Sequence, residues 1–372
     1  MSERVLLTGG AGFIGRHVTA ELVEHGYEVR VLDCLHPQVH GDEPDTEALI
    51  PAAELVIGDI RDQAKVEQAL QGVDHVIHLA AEVGVGQSMY EINRYVSVNE
   101  GGTAVLLQAL TKAPVERLVT ASSMSIYGEG LYRNAMGEFI ENAHRRIAEG
   151  NVERAWSPVD DDGYPLKPVA TPEWKRPSLA SVYALNKYAQ EQMTLIAAPA
   201  YGIDAVALRL FNVYGAGQAL SNPYTGVLAI FAARIRNGQP PMVFEDGEQR
   251  RDFVHVSDVA RAFRLALEHE AAAGEIFNIG SGRDVSINDV ARAAASALNR
   301  PDLTPQYNGK ARAGDIRNCF ADIDKAGRLL GFAPQVEFEA GLQSLAEWVA
   351  EQQAEDRTGE ASRELEARGL VA

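Results

Sequence analysis

The sequence predicts an α/β fold, a doubly wound parallel sheet joined to a smaller mixed α/β lobe. Three observations predict it. Short apolar runs alternate with longer segments of helical period up to about residue 200, the rhythm of βαβ units. The first apolar run meets the first helical segment at a glycine-rich turn, Gly9-Gly10-Ala11-Gly12-Phe13-Ile14-Gly15. Beyond Phe211 the texture changes, with Gly, Gln, Asn and Pro gathered from Gly215 to Pro223 and shorter mixed elements after them.

Taken in order, the strand candidates are Val5–Thr8, Glu28–Asp33, Leu55–Gly58, His75–Leu79, Arg117–Ser122 and Ala205–Leu210. Helix candidates lie between them at Phe13–His25, Gln63–Leu70, Ile92–Leu110 and Val182–Ala198, the last closed by Pro199. The stretch from Glu129 to Ala180 carries five prolines, Trp156 and Trp174, and reads as an insertion with a solvated turn at Asp160–Asp162. The expected division is a dinucleotide domain over 1–214 with an insertion at 129–180, then a second lobe over 215–350. Residues 251–280 partly return to the first domain, and the charged tail 351–372 reads as a frayed helix or a disordered end.

Composition excludes several classes. With 34 Lys+Arg against 52 Asp+Glu, the formal charge of −18 opposes nucleic acid and anionic membranes as partners. Apolar stretches such as Val227 to Ala233 fall short of the ~20 residues of a membrane span. Cys34 and Cys319 are too few for a disulfide scaffold, and with no secretory leader ahead of the first strand a cytoplasmic protein is expected.

The glycines at 9, 12 and 15 allow a tight turn and close approach of a pyrophosphate to the positive end of the following helix. Phe13 and Ile14 lie in the same loop. Asp33, ending the next strand, is placed to bind adenosine ribose hydroxyls, with Cys34 beside it. No Arg or Lys stands among Cys34, Leu35 and His36, and an unpaired carboxylate repels a 2′-phosphate, so NAD is favoured over NADP. Asp59 and Ile60 either cover the adenine or begin the next helix with an N-cap aspartate.

Tyr183 and Lys187 fall at i and i+4, on one helix face. A free phenol, with pKa near 10, is too weakly acidic to serve as a base at neutral pH. A neighbouring ammonium stabilises phenolate and draws that value down. The strand Arg117–Ser122 runs into Ser122-Ser123-Met124-Ser125, hydroxyls at a carboxyl strand end facing the same crevice as Gly12. Ser123 is the candidate to hold a reacting sugar oxygen, and a local turn bond is expected of Ser122 or Ser125.

These residues, together with His78-Leu79-Ala80-Ala81, Asn99 with Gly102-Thr103, Leu208-Arg209-Leu210-Phe211-Asn212, Arg251-Asp252-Phe253 and Arg312-Ala313-Gly314-Asp315, resemble the extended short-chain dehydrogenase/reductase family. Within it they are similar to the nucleotide-sugar epimerase/dehydratase branch, over about Val5 to Phe332. The resemblance implies a Rossmann-type NAD domain and oxidation of a sugar carbon to a ketone. Tyr183 would take the hydroxyl proton, Ser123 position the oxygen, and Lys187 hold the nicotinamide ribose. Leu79, Ala80, Ala81, Asn99, Ser122 and Phe211 would line the cofactor, and Asn212, Arg251, Arg312 and Asp315 the nucleotide diphosphate. Met124, Ser125, Val227 and Phe244 would complete the substrate pocket, with the strand Met242-Val243-Phe244 along the base. The branch also implies a homodimer through the helices matching Ile92–Leu110 and Val182–Ala198.

Dehydratases of this branch carry an acid and a carboxylate directly after the catalytic hydroxyl residue, whereas Met124 and Ser125 stand here. A 4-epimerase needs neither, so that reaction is expected, with a nucleotide-sugar dehydrogenase/reductase as the alternative, a 4,6-dehydratase after it and a non-catalytic NAD-binding module last. Segments 124–133 and 219–227 and the insertion ending in Thr171-Pro172-Glu173 are similar to those of dTDP-L-rhamnose 4-epimerases and their close relatives, although the insertion lacks the cysteine pairs such relatives often carry. Cys319 falls at a site of variable residue size in related epimerases, and is otherwise a small core residue. No metal site is expected: His36 and His40 read as a solvated pair in a loop, and His78 as structural.

Overall fold

The computed structural model describes residues 2–42, 44–145, 156–220, 226–311, 315–352 and 358–371. Its centre is a parallel sheet of β1 (Arg4–Thr8), β2 (Glu28–Asp33), β3 (Glu54–Ile57), β4 (His75–His78), β5 (Arg117–Ser123), β6 (Asp204–Leu210) and β7 (Ile276–Ile279). The strand order is β3-β2-β1-β4-β5-β6-β7. The chain reverses its direction of winding between β1 and β4, which opens a crevice at their carboxyl ends. All six strand candidates form within one residue of their expected ends, and β7 joins them from beyond the glycine-rich change of texture.

The near-continuous apolar runs reflect burial on both sheet faces. Val5 and Leu7 pack with Val18 and Leu22 of α1 (Phe13–Glu24) and with Val259 and Phe263, so one layer covers that face. Leu6 points oppositely, to Val66 of α2 (Gln63–Ala69) and to Leu106 and Leu110 of α3 (Gly102–Leu110). Complete burial of such a side chain contributes about 1.5–3 kcal/mol.

Three helical expectations change. The single helix expected over Ile92–Leu110 is α-helical at Ile92–Tyr95 and Gly102–Leu110 but π-helical at Val96–Gly101. The wider turn places buried Asn99 against the backbone of Glu82, and a Cβ on Gly102 would lie 2.5 Å from Ile60. Next, α4 (Val182–Ala200) runs one residue past Pro199, because proline accepts helical φ and in the final turn forfeits only one bond. Its start is capped by Ser181, whose hydroxyl accepts the Ala184 amide at 3.1 Å. Finally, the tail holds a helix at Thr358–Ala367, with Leu365 buried, Lys310 bonded to Glu366 at 2.6 Å, and Arg368 stacked 4.3 Å over Tyr90. Isolated charge pattern suggested fraying; contacts to distant loops supply the missing stabilisation.

Helices Val227–Arg236, Ile287–Ala297 and Phe338–Glu351 build a second core around Phe231, Val290, Leu342 and Phe253. Within the 129–180 stretch, Leu131–Arg133 pairs antiparallel with Phe139–Ile140 and Lys167–Val169. Asp160 forms the exposed turn expected there, its carboxylate accepting the amides of Asp162 and Tyr164. No helix among the described residues is long and apolar enough to cross a membrane.

Candidate active site

The crevice begins where β1 ends. Gly9 has φ +70°, and a Cβ there would lie 2.7 Å from the Ala80 backbone, so the loop closes directly onto the end of β4. At Gly12 a Cβ would meet only the Gly9 carbonyl, at 3.3 Å, leaving room in front of α1. No side chain caps that helix and its first turn has no acid. The free amides and positive helix end therefore suit a pyrophosphate. Gly9→Ala combines a left-handed φ with a backbone clash. It is expected to cost about 1–3 kcal/mol of stability and to lower the NAD content of purified protein, as measured by denaturant titration and by cofactor released on denaturation.

Asp33 is held at the end of β2 by the amides of Ala11 at 3.0 Å and Leu35 at 2.9 Å, leaving carboxylate lone pairs for ribose hydroxyls. Cys34 beside it is exposed. The solvated His36/His40 pair does not form. His36 instead caps the short turn Pro37–His40, and His40 is buried 3.8 Å from Asp33 because that turn folds back onto β2. Asp59 is not an N-cap, a role taken by Asp62; it pairs with Arg61 at 2.5 Å. Ile60 is buried in the core beneath α3, and Leu79, Ala80 and Ala81 are half-buried at the end of β4. Both amide atoms of Asn99 are engaged by Glu82, so its side chain shapes the segment after β4.

At the end of β5, Ser122 turns inward and donates to Glu191 at 2.6 Å. Ser123, not its neighbours, makes the turn bond, accepting the Ser125 amide at 3.2 Å and the Ser125 hydroxyl at 2.9 Å. The resulting 3₁₀ turn, Met124–Tyr127, presents no carboxylate beside Ser123. Tyr183 lies against the same serine: burial raises its phenol pKa, and the Ser123 hydroxyl draws it back. Ser88 accepts the Tyr183 amide at 3.0 Å and fixes the first turn of α4. Lys187 is buried, donates to Gln190 Oε1 at 2.9 Å, and is pushed down to about 7 by burial against the opposing charge of Glu191. A buried amine that easily loses its proton gains most when polar hydroxyls arrive beside it.

On the opposite wall Phe211 is buried near Tyr127, and Asn212 leaves a buried Oδ1 without a hydrogen-bond partner. Arg251 donates to the carbonyls of Arg250, Ile316 and Arg317 and lies 3.6 Å from Asp315. Arg312 lies outside the described residues. Val227 opens its helix, and Phe244 is half-buried just beyond the two-residue strand Met242–Val243. Cys319 is buried in one cluster with Met124, Tyr127 and Phe211, at the junction between the sheet and the second lobe.

Sequence reasoning missed a second tier. Arg145, in the expected insertion, bonds Glu129, Glu245 and the Asp315 carbonyl, while Arg317 bonds Glu245 and Asp246. These partners are 16 to 170 residues apart, so no local spacing signals them. Gln190 could have been found, since it lies one helical turn beyond Lys187 on the same face. Away from the crevice, Glu3, His75 and Glu116 gather at the amino ends of the strands, their ligand-type atoms within 4.8 Å of one another.

The profile of the NAD dependent epimerase/dehydratase family matches residues 5–146 and 164–280. The dTDP-L-rhamnose 4-epimerase of Burkholderia thailandensis is 37% identical over 94% of this chain and 96% of its own length. The UDP-glucose 4-epimerase of Thermotoga maritima, solved with UDP-glucose, superposes with TM-score 0.75 at 33% identity, covering 93% of this chain and 98% of that one. That of Thermus thermophilus, solved with NAD, gives 0.72 at 31%, covering 94% and 100%. A glycine cradle before an uncapped helix, a seven-stranded doubly wound sheet and full-length similarity agree: this chain belongs to the NAD dependent epimerase/dehydratase family.

Proposed function

We propose that this chain is an NAD-dependent nucleotide-sugar 4-epimerase, acting through a transient 4-keto sugar, with dTDP-L-rhamnose as the first substrate to test. The observation that carries the reading is the grouping of Ser123, Tyr183 and Lys187 at one crevice with Met124 and Ser125, not carboxylates, following the serine. The cradle of Gly9, Gly12 and Gly15 with Asp33 fits NAD, which when bound supplies the acceptor and donor of a hydride. Phe13, Ile14, Leu79, Ala80 and Ala81 would flank it.

Ser123 holds the sugar hydroxyl by hydrogen bonding, and Tyr183 as phenolate takes its proton. Lys187, once protonated beside the ribose, stabilises that phenolate by opposite charge. Tyr183 returns the proton when the ketone is reduced from the other face, so no net oxidant is consumed. Arg251, Asn212 and Asp315, with Arg312, serve the diphosphate. A guanidinium fork matches its oxygens, and the orphaned Asn212 Oδ1 is available to a ligand hydroxyl. Elimination of a C6 hydroxyl needs a carboxylate base that Met124 and Ser125 cannot provide.

The test is mass spectrometry of ligands released on denaturation, followed by incubation with dTDP-, UDP- and GDP-sugars without added cofactor. Epimer formation is expected without net NADH consumption; stoichiometric NADH consumption would instead establish a reductase. The two unpaired cysteines suit the reducing cytoplasm. Ile92, Val96, Leu185 and Ile196 expose apolar side chains on the π-containing helix and α4, which supports a homodimer through these helices. Light scattering is expected to give twice the 40.3 kDa chain mass, and Ile196→Glu with Leu185→Glu to reduce it to one.

A further inference from the structure

We propose that Gln190 is a positioning residue for the reacting pair: its amide carbonyl fixes the Lys187 ammonium on the helix face shared with Tyr183, and a buried Thr103–His78 relay fixes that carbonyl. The inference rests on the reading of Tyr183 and Lys187 given above.

Gln190 is buried, and neither end of its amide is idle. Oε1 accepts Lys187 Nζ at 2.9 Å; Nε2 donates to Thr103 Oγ1 at 2.8 Å and lies 3.2 Å from His78 Nε2. Thr103 gives its own proton to the Asn99 carbonyl at 2.6 Å, so its oxygen can only accept from Gln190. Turning the amide over would set NH₂ against an ammonium and a carbonyl against an oxygen with no proton left. The orientation is therefore determined. His78 completes the relay: Nε2 meets Thr103 at 2.8 Å and Nδ1 meets Thr8 at 2.7 Å. With Nε2–H donated to Thr103 and Nδ1 accepting the Thr8 hydroxyl, both hydroxyl contacts are satisfied, and Gln190 Nε2 and His78 Nε2 then stand side by side as two donors to the one Thr103 oxygen. Burial beside Lys187 pushes His78 down to about 3, so the relay carries no second positive charge.

The consequence is geometric. Lysine is a flexible point charge with three rotatable donors, and α4 alone does not aim it. Gln190 occupies one donor and leaves the others for the sites on the Tyr183 side. Thr8 and His78 end β1 and β4, and Thr103 lies in α3, so three elements of the cofactor crevice determine where Nζ stands. The titratable groups that interact with Lys187 are His78 from β4 and Glu191 from its own helix, and Tyr183 stands one turn before it on that helix. Glu100 of the π segment accepts from Asn186, and Tyr183 helps to raise the phenol of Tyr95.

The experiment compares wild type, Gln190→Leu and Gln190→Glu in two readouts: NAD retained per chain after dialysis across a pH series, and the pH profile of turnover. Leucine keeps the volume and removes the acceptor. It should lose bound NAD and move the alkaline limb to lower pH, since an unpartnered buried ammonium deprotonates sooner. Glutamate keeps the acceptor and adds charge. It should retain NAD and shift both limbs to higher pH by on the order of 1 unit, because the added carboxylate makes Lys187 hold its proton longer and its negative charge offsets the ammonium's stabilisation of Tyr183 phenolate. Wild-type limbs and NAD content in both variants overturn the proposal, as does equal NAD loss in both, which would mark a packing role. If Gln190→Leu does not fold, unmoved limbs in Gln190→Glu overturn it alone. Absence of epimerisation by the wild type on every sugar tried would sink the epimerase reading, whereas NAD retention needs no substrate and still decides Gln190.

Discussion

Tyr183→Phe is expected to lower turnover by about 10²–10⁴-fold, the usual contribution of a positioned general base, while NAD stays bound. The substitution keeps the ring and α4 and removes only the oxygen that meets Ser123. Fold and cofactor cradle are untouched because Gly9, Gly12 and Asp33 lie on other elements. Turnover is measured by chromatography of the epimers and NAD by release on denaturation. Wild-type turnover with full NAD content would remove Tyr183 from the chemistry. Loss of NAD together with activity would show the phenol to be a binding group instead.

Arg209→Met should give the largest loss of stability, about 3–5 kcal/mol, the cost of leaving a buried partner charge uncompensated. Arg209 donates to Glu191 through Nε at 2.9 Å and through its second terminal nitrogen at 2.7 Å, and both side chains are almost wholly buried. It also donates to the Tyr127 hydroxyl at 2.8 Å and the Glu173 carbonyl at 3.1 Å. Removing it leaves Glu191 with neutral partners, the Ser122 hydroxyl at 2.6 Å and the Gln192 amide at 3.3 Å, and no guanidinium. Denaturant titration measures the loss, and a second change, Glu191→Leu, should recover most of it, since two apolar residues leave no buried charge. A single-variant loss below about 1 kcal/mol would mean that water reaches Glu191.

The Arg209–Glu191 pair also shows where a linear reading stops. Its two members lie on β6 and α4, both anticipated from apolar pattern, yet nothing in either segment states that they meet. The same holds for Arg145, which draws Glu129, Glu245 and Asp315 together, and for Glu245, held at φ 55° with its carboxylate between two guanidinium groups. By contrast, the phosphate loop was legible because a strand, a glycine turn and a helix are contiguous and each has a local conformational cause. Tyr183 and Lys187 were legible because helical period places i and i+4 together.

Errors arose where local chemistry had two solutions. Of the two readings of Asp59, the N-cap one failed, because Asp62 accepts the amides of Ala64 and Lys65 and caps α2 instead. His40 looked solvated beside Pro37, but the short turn carries it back against Asp33. Of the two forms expected for the tail a helix is the one present, and its contacts with Tyr90 and Lys310, far away in sequence, could not be read from its charges.

By itself, then, the sequence determined the alternation of strands and helices, the cofactor turn, the Tyr183/Lys187 pair and the absence of a carboxylate after Ser123. All of these follow from backbone periodicity and from residues close along the chain. Only the tertiary structure decided that Ser123 meets Tyr183, that Asn99 braces Glu82, and that Gln190 joins Lys187 to Thr103 and His78. Such contacts depend on strand order and helix packing, which bring side chains within hydrogen-bond distance irrespective of their separation in sequence.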